Sequence, residues 1–131
     1  MHDFTLPYES DDRTLTPDNP VYRASALCVD AAEAGGRPNN LAPHYKSYFE
    51  SVGFVDVVER RFKWPLNDWA KDPYYKEIGI WTRESLDGGI EGLVMALLTR
   101  HLGWDRDRGL VFCAQFRAAL RDRSVHGYIP M

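Results

Sequence analysis

The chain has 131 residues, of which 44% are hydrophobic and 27% charged, which is the balance of a soluble globular protein with one domain. Its 19 acidic residues outnumber the 16 Lys and Arg, and the formal net charge of −3 argues against non-specific binding to nucleic acid or to an anionic membrane surface. Aromatic residues make up 13% of the chain, and such residues fill cores or line apolar pockets and partner surfaces.

The cysteines and the hydropathy pattern favour an intracellular location. Cys28 and Cys113 lie outside any CxxC spacing, each on the apolar stripe of a predicted helix, so we expect two buried, reduced thiols. No apolar run reaches the roughly 18 residues of a membrane helix. The acidic N-terminus also lacks the basic start and apolar run of a signal peptide. We therefore expect a cytoplasmic or nuclear location and no membrane contact.

The first third of the chain predicts a strand, a loop and a helix. Residues His2–Tyr8 have the character of a strand, and the polar stretch Glu9–Asn19 has that of a loop. Asn19 is suited to cap a helix that begins at Pro20, because proline is favoured at the first helical position. Apolar residues then recur at helical spacing until the pair Gly35-Gly36 ends the helix.

The stretch from Pro43 to Pro65 predicts a helix, a stop and a strand, and we expect the rest of the chain to be arranged around it. Proline at the first helical position is followed by apolar residues at helical spacing, namely Tyr45, Tyr48, Phe49 and Val52. Gly53 supplies the positive φ that ends such a helix. Phe54–Phe62 then mixes β-branched and aromatic residues with charges, which predicts an edge strand.

The second half of the chain predicts an accessory helical region at residues 73–122. An aromatic loop, Lys63–Asp72, leads to a helix from Pro73 that places Tyr74, Ile78 and Trp81 on one side. The glycines of Asp87-Gly88-Gly89 are expected to break this helix.

Two further helices and a short strand complete the predicted elements. The first has a core-facing stripe of Ile90, Leu93, Val94, Leu97, Leu98 and Leu102. After Gly103 ends it, Asp105 can cap the last helix, in which Phe112, Cys113, Phe116, Ala119 and Leu120 share a face. Val125–Met131 predicts a short strand.

No catalytic, nucleotide or metal motif stands out. The glycine pairs end helices, which is the wrong polarity for binding phosphate, and no cofactor-binding residue is predicted. The histidines form no metal-ligand spacing, so no metal site is predicted; they are His2, His44, His101 and His126. Asp11-Asp12 is a candidate carboxylate pair, although adjacent acidic residues in a loop are usually only solvated. Glu91 near a predicted helix start is explained by the helix dipole.

Nearly the whole chain resembles the LaeA-like S-adenosylmethionine-dependent methyltransferases, fungal proteins associated with the control of secondary metabolism. The matching residues in the first half are His2-Asp3-Phe4, Ser10-Asp11-Asp12, Thr14-Leu15, Gly36-Arg37-Pro38, Gly53-Phe54-Val55-Asp56-Val57, Glu59 and Phe62-Lys63-Trp64-Pro65. Those in the second half are Lys71-Asp72-Pro73, Lys76-Glu77-Ile78-Gly79, Leu86, Ile90-Glu91-Gly92, Thr99-Arg100, Leu102-Gly103-Trp104, His126, Tyr128 and Pro130. Three positions depart from the pattern: Arg13, Ala70 and Gly89.

The resemblance implies an α/β fold: the mostly helical C-terminal half of a class I Rossmann-like methyltransferase domain, with a few-stranded, incomplete sheet. His2–Tyr8 would be the fifth strand of that fold, Phe54–Phe62 the sixth and Val125–Met131 the seventh. The first four strands, with the glycine-rich turn and the acidic ribose contact, would then lie outside this sequence. S-adenosylmethionine is therefore implied for the complete fold and not for this chain alone, which we expect neither to bind it nor to transfer methyl groups.

The part of the fold implied here faces the methyl acceptor, and five residues are candidates for that substrate pocket: His2, Asp3, Trp64, Trp69 and Trp81. Packing in the core or on the surface is the alternative role for each. A second hypothesis is a non-catalytic interaction module, whose exposed sheet edge is covered by a protein partner such as a methyltransferase-like or velvet-type regulator. A third, a small enzyme using Asp11, Asp12 or His44, has no motif behind it.

Overall fold

The structure, a computed structural model, describes all residues 1–131 and is rich in helix, with one small sheet. The helices are α1 (Pro20–Ala34), a 3-10 turn (Ala42–His44), α2 (Tyr45–Ser51), α3 (Pro73–Arg100) and α4 (Arg106–Leu120), and the strands are β1 (Lys63–Pro65) and β2 (Tyr128–Pro130). No helix is long and apolar enough to span a membrane.

The three long helices begin where the capping pattern predicts. The Asn19 side chain accepts the backbone N–H of Val21 at 2.8 Å, and Asp72 accepts that of Tyr74 at 2.9 Å. Asp105 accepts the N–H of Arg108 at 2.8 Å. Each cap satisfies an N–H group that the first helical turn leaves without an intrahelical partner.

Helices α1, α3 and α4 pack on one another around a single apolar core. The buried side chains of the core are Leu15, Val21, Ala24, Leu66, Ile90, Val94, Leu98, Phe112, Cys113, Phe116 and Leu120. On the predicted stripe of α3, every fourth residue from Ile90 is buried, whereas Leu93 lies at the edge of the face and is exposed, which corrects the prediction for that residue. The Cys113 thiol is fully buried as expected, and Cys28 is half-buried; neither forms a disulfide.

The sheet pairs β1 with β2 antiparallel, with Trp64 opposite Ile129. Phe62 and Met131 extend the pairing by exchanging two backbone hydrogen bonds of 2.9 Å. On its other side, Tyr128 forms an isolated antiparallel bridge with Glu9. The segment from β2 to the chain end therefore lies between two other parts of the chain.

Helix α3 corrects the predicted break at Asp87-Gly88-Gly89, because it runs through these residues as one 28-residue helix. Two interior glycines cost about 1 kcal/mol each relative to alanine. Burial of Ile90 and Val94 beyond them, each a gain of about 1.5–3 kcal/mol, outweighs this cost. The Arg117 guanidinium of α4 also donates to the Asp87 carbonyl at 2.9 Å and so braces this turn.

The two predicted strands His2–Tyr8 and Phe54–Phe62 are not strands in the structure. Strand-forming residues need a neighbouring strand to satisfy their backbone groups, and neither segment has one along its length. At Leu6 the Asn40 side-chain amide takes that place, accepting the N–H at 3.2 Å and donating to the carbonyl at 2.7 Å. Residues 54–62 are almost all exposed, and α2 before them buries no residue, so the core is not organised around this stretch as predicted.

Candidate functional site

The acidic turn, residues Glu9–Thr14, brings carboxylates against the end of the chain. Asp12 closes the turn: its Oδ1 accepts the Thr14 backbone N–H at 3.1 Å and the Thr14 hydroxyl at 2.7 Å. Its Oδ2 lies 2.6 Å from Nδ1 of His126. Arg13, between the two hydrogen-bonded residues, has a φ of +62°, which is the left-handed conformation of a tight turn.

The His126 ring is held on several sides. Its backbone N–H donates to the Thr14 hydroxyl oxygen at 2.8 Å, and its ring lies over that of Trp69, with the centroids 4.9 Å apart. Trp69 is fixed in turn, since its indole N–H donates to the Gly127 carbonyl at 2.9 Å. The imidazole is therefore oriented by a carboxylate at one edge and by an aromatic face.

Asp11 forms a second cluster on the same turn. Its two carboxylate oxygens lie 2.6 and 2.8 Å from the Lys63 ammonium, and it accepts the Tyr128 hydroxyl at 2.9 Å. The same hydroxyl lies 3.2 Å from a carboxylate oxygen of Glu9. The Lys63 ammonium is also 4.9 Å from the Tyr128 ring centroid, a cation–π distance. The acidic turn is thus tied to both strands of the sheet.

These contacts shift the acid–base equilibria of the turn in consistent directions. Hydrogen bonds from Thr14, then from His126, lower the pKa of Asp12 to about 2. Hydrogen bonds from Lys63, then from Tyr128, lower the pKa of Asp11. Burial, and then the carboxylates beside it, raise the pKa of the Tyr128 hydroxyl. Both aspartates are therefore ionised at neutral pH, and Tyr128 is a neutral donor.

The five predicted pocket residues are not joined to one another by any hydrogen bond or ring contact. Asp3 accepts the Tyr45 hydroxyl at 2.5 Å, and Trp69 packs against His126. The other three are exposed at separate points of the fold: His2 near the N-terminus, Trp64 on β1 and Trp81 on α3. Their assignment to a substrate pocket remains a prediction, as does the use of His44, whose ring is 6.0 Å from that of Tyr48.

The pairing of Asp12 with His126 is the feature that sequence reasoning missed. Both residues are among the positions that carry the resemblance, and the sequence indicates Asp11-Asp12 as a candidate carboxylate pair. What was missing was their proximity, because His126 lies 114 residues beyond Asp12 in the chain. The only signal in the sequence is that both Asp12, near the start of the chain, and His126, near its end, lie at positions that match the family.

Two concave regions lie near the core and the acidic turn. The core void lined by Leu15, Val21 and Leu66 has a volume of only about 10 Å³. The larger depression beside the acidic turn, about 520 Å³, is broad and open and is lined by residues such as Tyr8, Arg13 and Tyr22. The cap side chains already accept one N–H group at the start of α1, two at the start of α3 and one at the start of α4.

Curated proteins similar to this chain are fungal methyltransferases and regulators of secondary metabolism. A probable methyltransferase tdiE from Emericella nidulans is 30% identical over 131 residues, which are 100% of this chain and 41% of that protein. The secondary metabolism regulator LAE1 of Cochliobolus heterostrophus is 32% identical over 90% of this chain and 39% of its own length. The protein-methionine methyltransferase laeA of Chaetomium globosum is 30% identical over 91% of this chain and 38% of its own length.

The resemblance to LaeA-like methyltransferases is therefore confirmed over the whole chain. The chain spans about two-fifths of the length of the curated relatives it matches. No protein-family model matches it. No solved structure matches it either.

Proposed function

We propose that this chain is the substrate-side portion of an S-adenosylmethionine-dependent methyltransferase-like protein of the secondary-metabolism regulator type. The single observation that carries the proposal is the similarity to methyltransferases over the full chain. That similarity covers only part of each relative. A methyltransferase-like function for this chain is therefore our proposal.

A class I Rossmann-like fold is part of this proposal, and the sheet supports it. The three regions that the resemblance implies as fifth, sixth and seventh strands do meet side by side. Glu9, directly after the first region, bridges to Tyr128 of β2, and Tyr128 is paired with Pro65 of β1, directly after the second. The pairing starts a few residues later in the chain than the predicted strands. The third region lies between the other two, so all three can belong to one sheet.

We propose further that this chain by itself does not bind the methyl donor. The capped helix starts and the small core void described above support this, because adenosine and methionine groups need an enclosed site with free donors. Isothermal titration of the 131-residue chain with S-adenosylmethionine tests it, with tdiE of Emericella nidulans as the full-length control under the same conditions. Micromolar binding by the 131-residue chain would contradict the proposal.

A non-catalytic interaction module is the second candidate, and exposed apolar residues favour it. The apolar strip, residues 52–62, exposes 83% of Val55 and 76% of Val58. Several apolar side chains exposed together in one irregular segment are typical of a surface that a partner covers. The partner proposed is a methyltransferase-like or velvet-type protein that supplies a strand to this segment, since residues 54–62 have strand-forming composition.

Light scattering of the purified chain separates these two candidates. If the strip is a surface that needs cover, the isolated wild-type chain should self-associate through it as its concentration rises. A variant with Val55→Asp and Val58→Asp should then stay monomeric. The control is Val111→Asp, which charges a valine on α4 that is also exposed, by 59%. A wild-type chain that is monomeric and melts cooperatively at every concentration would contradict the interaction module.

A further inference from the structure

The Asp12–His126 pair fixes which nitrogen of the imidazole carries the proton. The Asp12 carboxyl group is ionised and accepts two bonds from Thr14, so it has no hydrogen to donate. At 2.6 Å from Asp12 Oδ2, the Nδ1 atom of His126 must therefore be the donor. In the neutral ring this leaves Nε2 as the atom with a free electron pair. No protein group forms a hydrogen bond with Nε2.

A purely structural tie between the two ends of the chain does not require this ring bond. Backbone bonds of 2.8 and 3.1 Å between Glu9 and Tyr128 already join the acidic turn to β2. The His126 backbone N–H adds a further bond, to the Thr14 hydroxyl. The ring bond adds orientation to a connection that the backbone makes without it. The His126 side chain is 41% exposed, so an oriented ring is accessible from solvent.

The polar and charged side chains around the ring leave one charged group in direct contact with it. The ammonium of Lys63, on β1, is held by Asp11. Tyr128 is a neutral hydroxyl bonded to Asp11 and Glu9. The charged group in direct contact with the His126 ring is the Asp12 carboxylate. Trp69 packs against one face of the His126 ring, and the Nε2 edge has no protein hydrogen-bond partner.

We propose that Asp12 and His126 form a proton-accepting pair for a ligand that bears a hydroxyl, ammonium or thiol group. In this step the ligand's bond between heteroatom and hydrogen breaks and a new N–H bond forms at Nε2. The electron pair stays on the heteroatom, which becomes a stronger nucleophile, and the resulting imidazolium is balanced by the Asp12 carboxylate. A thioether has no such proton, so this pair would contribute nothing to a thioether acceptor.

The proposal rests on the proposed function for the statement that this protic ligand is the methyl acceptor. Asp12 acts through His126, so it is a positioning residue. The same logic governs other carboxylate–imidazole pairs, where an amide in place of the carboxylate keeps the shape but leaves the ring in the wrong tautomer.

Nitrogen NMR of the 15N-labelled 131-residue chain tests the tautomer without any methyl donor. The spectra are recorded at about pH 8.5, two units above the ordinary pKa of a free histidine side chain. His126 should carry its hydrogen on Nδ1, with the rings of His2, His44 and His101 as internal references. Asp12→Asn should move the hydrogen to Nε2, because the amide can donate to Nδ1. Asp11→Asn, whose side chain contacts Lys63 and Tyr128, is the matched control and should leave the tautomer unchanged.

Titration with two small probes then tests proton acceptance. Phenol should shift the His126 Nε2 resonance saturably in the wild type and in Asp11→Asn, and at least tenfold more weakly in Asp12→Asn. Dimethyl sulfide, a thioether, should leave that resonance unchanged. A ring with its hydrogen on Nε2 in the wild type would overturn the proposal. So would a phenol response shared by all four histidines. Because no methyl donor is present, these results are independent of the titration that tests the proposed function.

Discussion

Gly79 is the point at which α3 and the loop after β1 approach most closely, and replacing it with alanine should destabilise the chain. A Cβ atom at this position would lie 2.0 Å from the Asn67 carbonyl oxygen and 2.6 Å from its carbon. Both are backbone atoms, so no flexible side chain can move aside. Gly88, on the same helix, has no atom within 4 Å of the equivalent position, and Gly88→Ala is therefore the matched control.

The expected difference between the two variants is about 3 kcal/mol. Alanine gains about 1 kcal/mol over glycine in a helix interior, and Gly88→Ala should show this gain. Overpacking costs about 1–3 kcal/mol, and a clash with rigid backbone belongs at the upper end of that range. Gly79→Ala should therefore lose about 2 kcal/mol net. For a chain of this size each kcal/mol shifts the melting temperature by about 3–4 °C, so the two variants should melt about 10 °C apart.

Urea unfolding followed by far-UV circular dichroism measures both variants against the wild type. The unfolding midpoint should fall for Gly79→Ala and rise for Gly88→Ala, with the same dependence on urea concentration. Equal midpoints for the two variants would refute the close approach of α3 to Asn67. Destabilisation by both variants would refute the continuity of α3 through the glycine pair.

Three further predictions concern the carboxylate, the buried amide and the thiols. Asp12 has a folded pKa of about 2 and an unfolded pKa near 3.8, so the stability it contributes is present above about pH 4 and is lost as pH falls towards 2. Asp12→Asn should reduce the loss of stability between about pH 4 and pH 2, whereas Asp18→Asn, in an exposed loop, should not change it. The same dependence of stability on pH in both variants would contradict this prediction. Asn67→Ala removes three hydrogen bonds from a buried side chain and should cost about 3 kcal/mol in urea unfolding. The exposed control Asn39→Ala should stay within about 0.5 kcal/mol. Cys113 is fully buried and burial raises its pKa, so mass spectrometry should find it alkylated only after unfolding and after Cys28; labelling of native Cys113 would contradict its burial.

Helix starts were predictable from the sequence because their chemistry is local. Asn19 before Pro20 and Asp72 before Pro73 each place a capping oxygen within three residues of the N–H groups it accepts. Strands were not, because a strand is defined by its neighbour. Phe54–Phe62 has strand-forming composition, but only its last residue, Phe62, is paired within this chain, with Met131. Lys63–Pro65 pairs only because the distant end of the chain returns beside it.

The glycine pair of α3 shows tertiary packing overriding a local preference. Gly88 and Gly89 disfavour a helix, and nothing in their immediate sequence reveals that Arg117 and Arg121 of α4 would bond to Asp87 beside them. The candidate site failed to emerge from the sequence for the same reason. Asp12 and His126 were each visible as polar residues in matched positions, but their contact depends on the register of β2 with Glu9.

Helices α3 and α4 position the Asp12–His126 pair through the loop after β1, although no residue of these helices contacts the pair. Gly79 of α3 packs on the Asn67 backbone, and the Asn67 side chain accepts the Trp69 N–H at 3.0 Å and donates to the Leu120 carbonyl at the end of α4. Trp69 in turn supports the His126 ring. Gly79→Ala should therefore shift or broaden the His126 ring resonances while the chain remains folded, and Gly88→Ala should leave them unchanged. If Gly79→Ala lowers stability but leaves His126 unaltered, the helices stabilise the fold without setting the geometry of the pair.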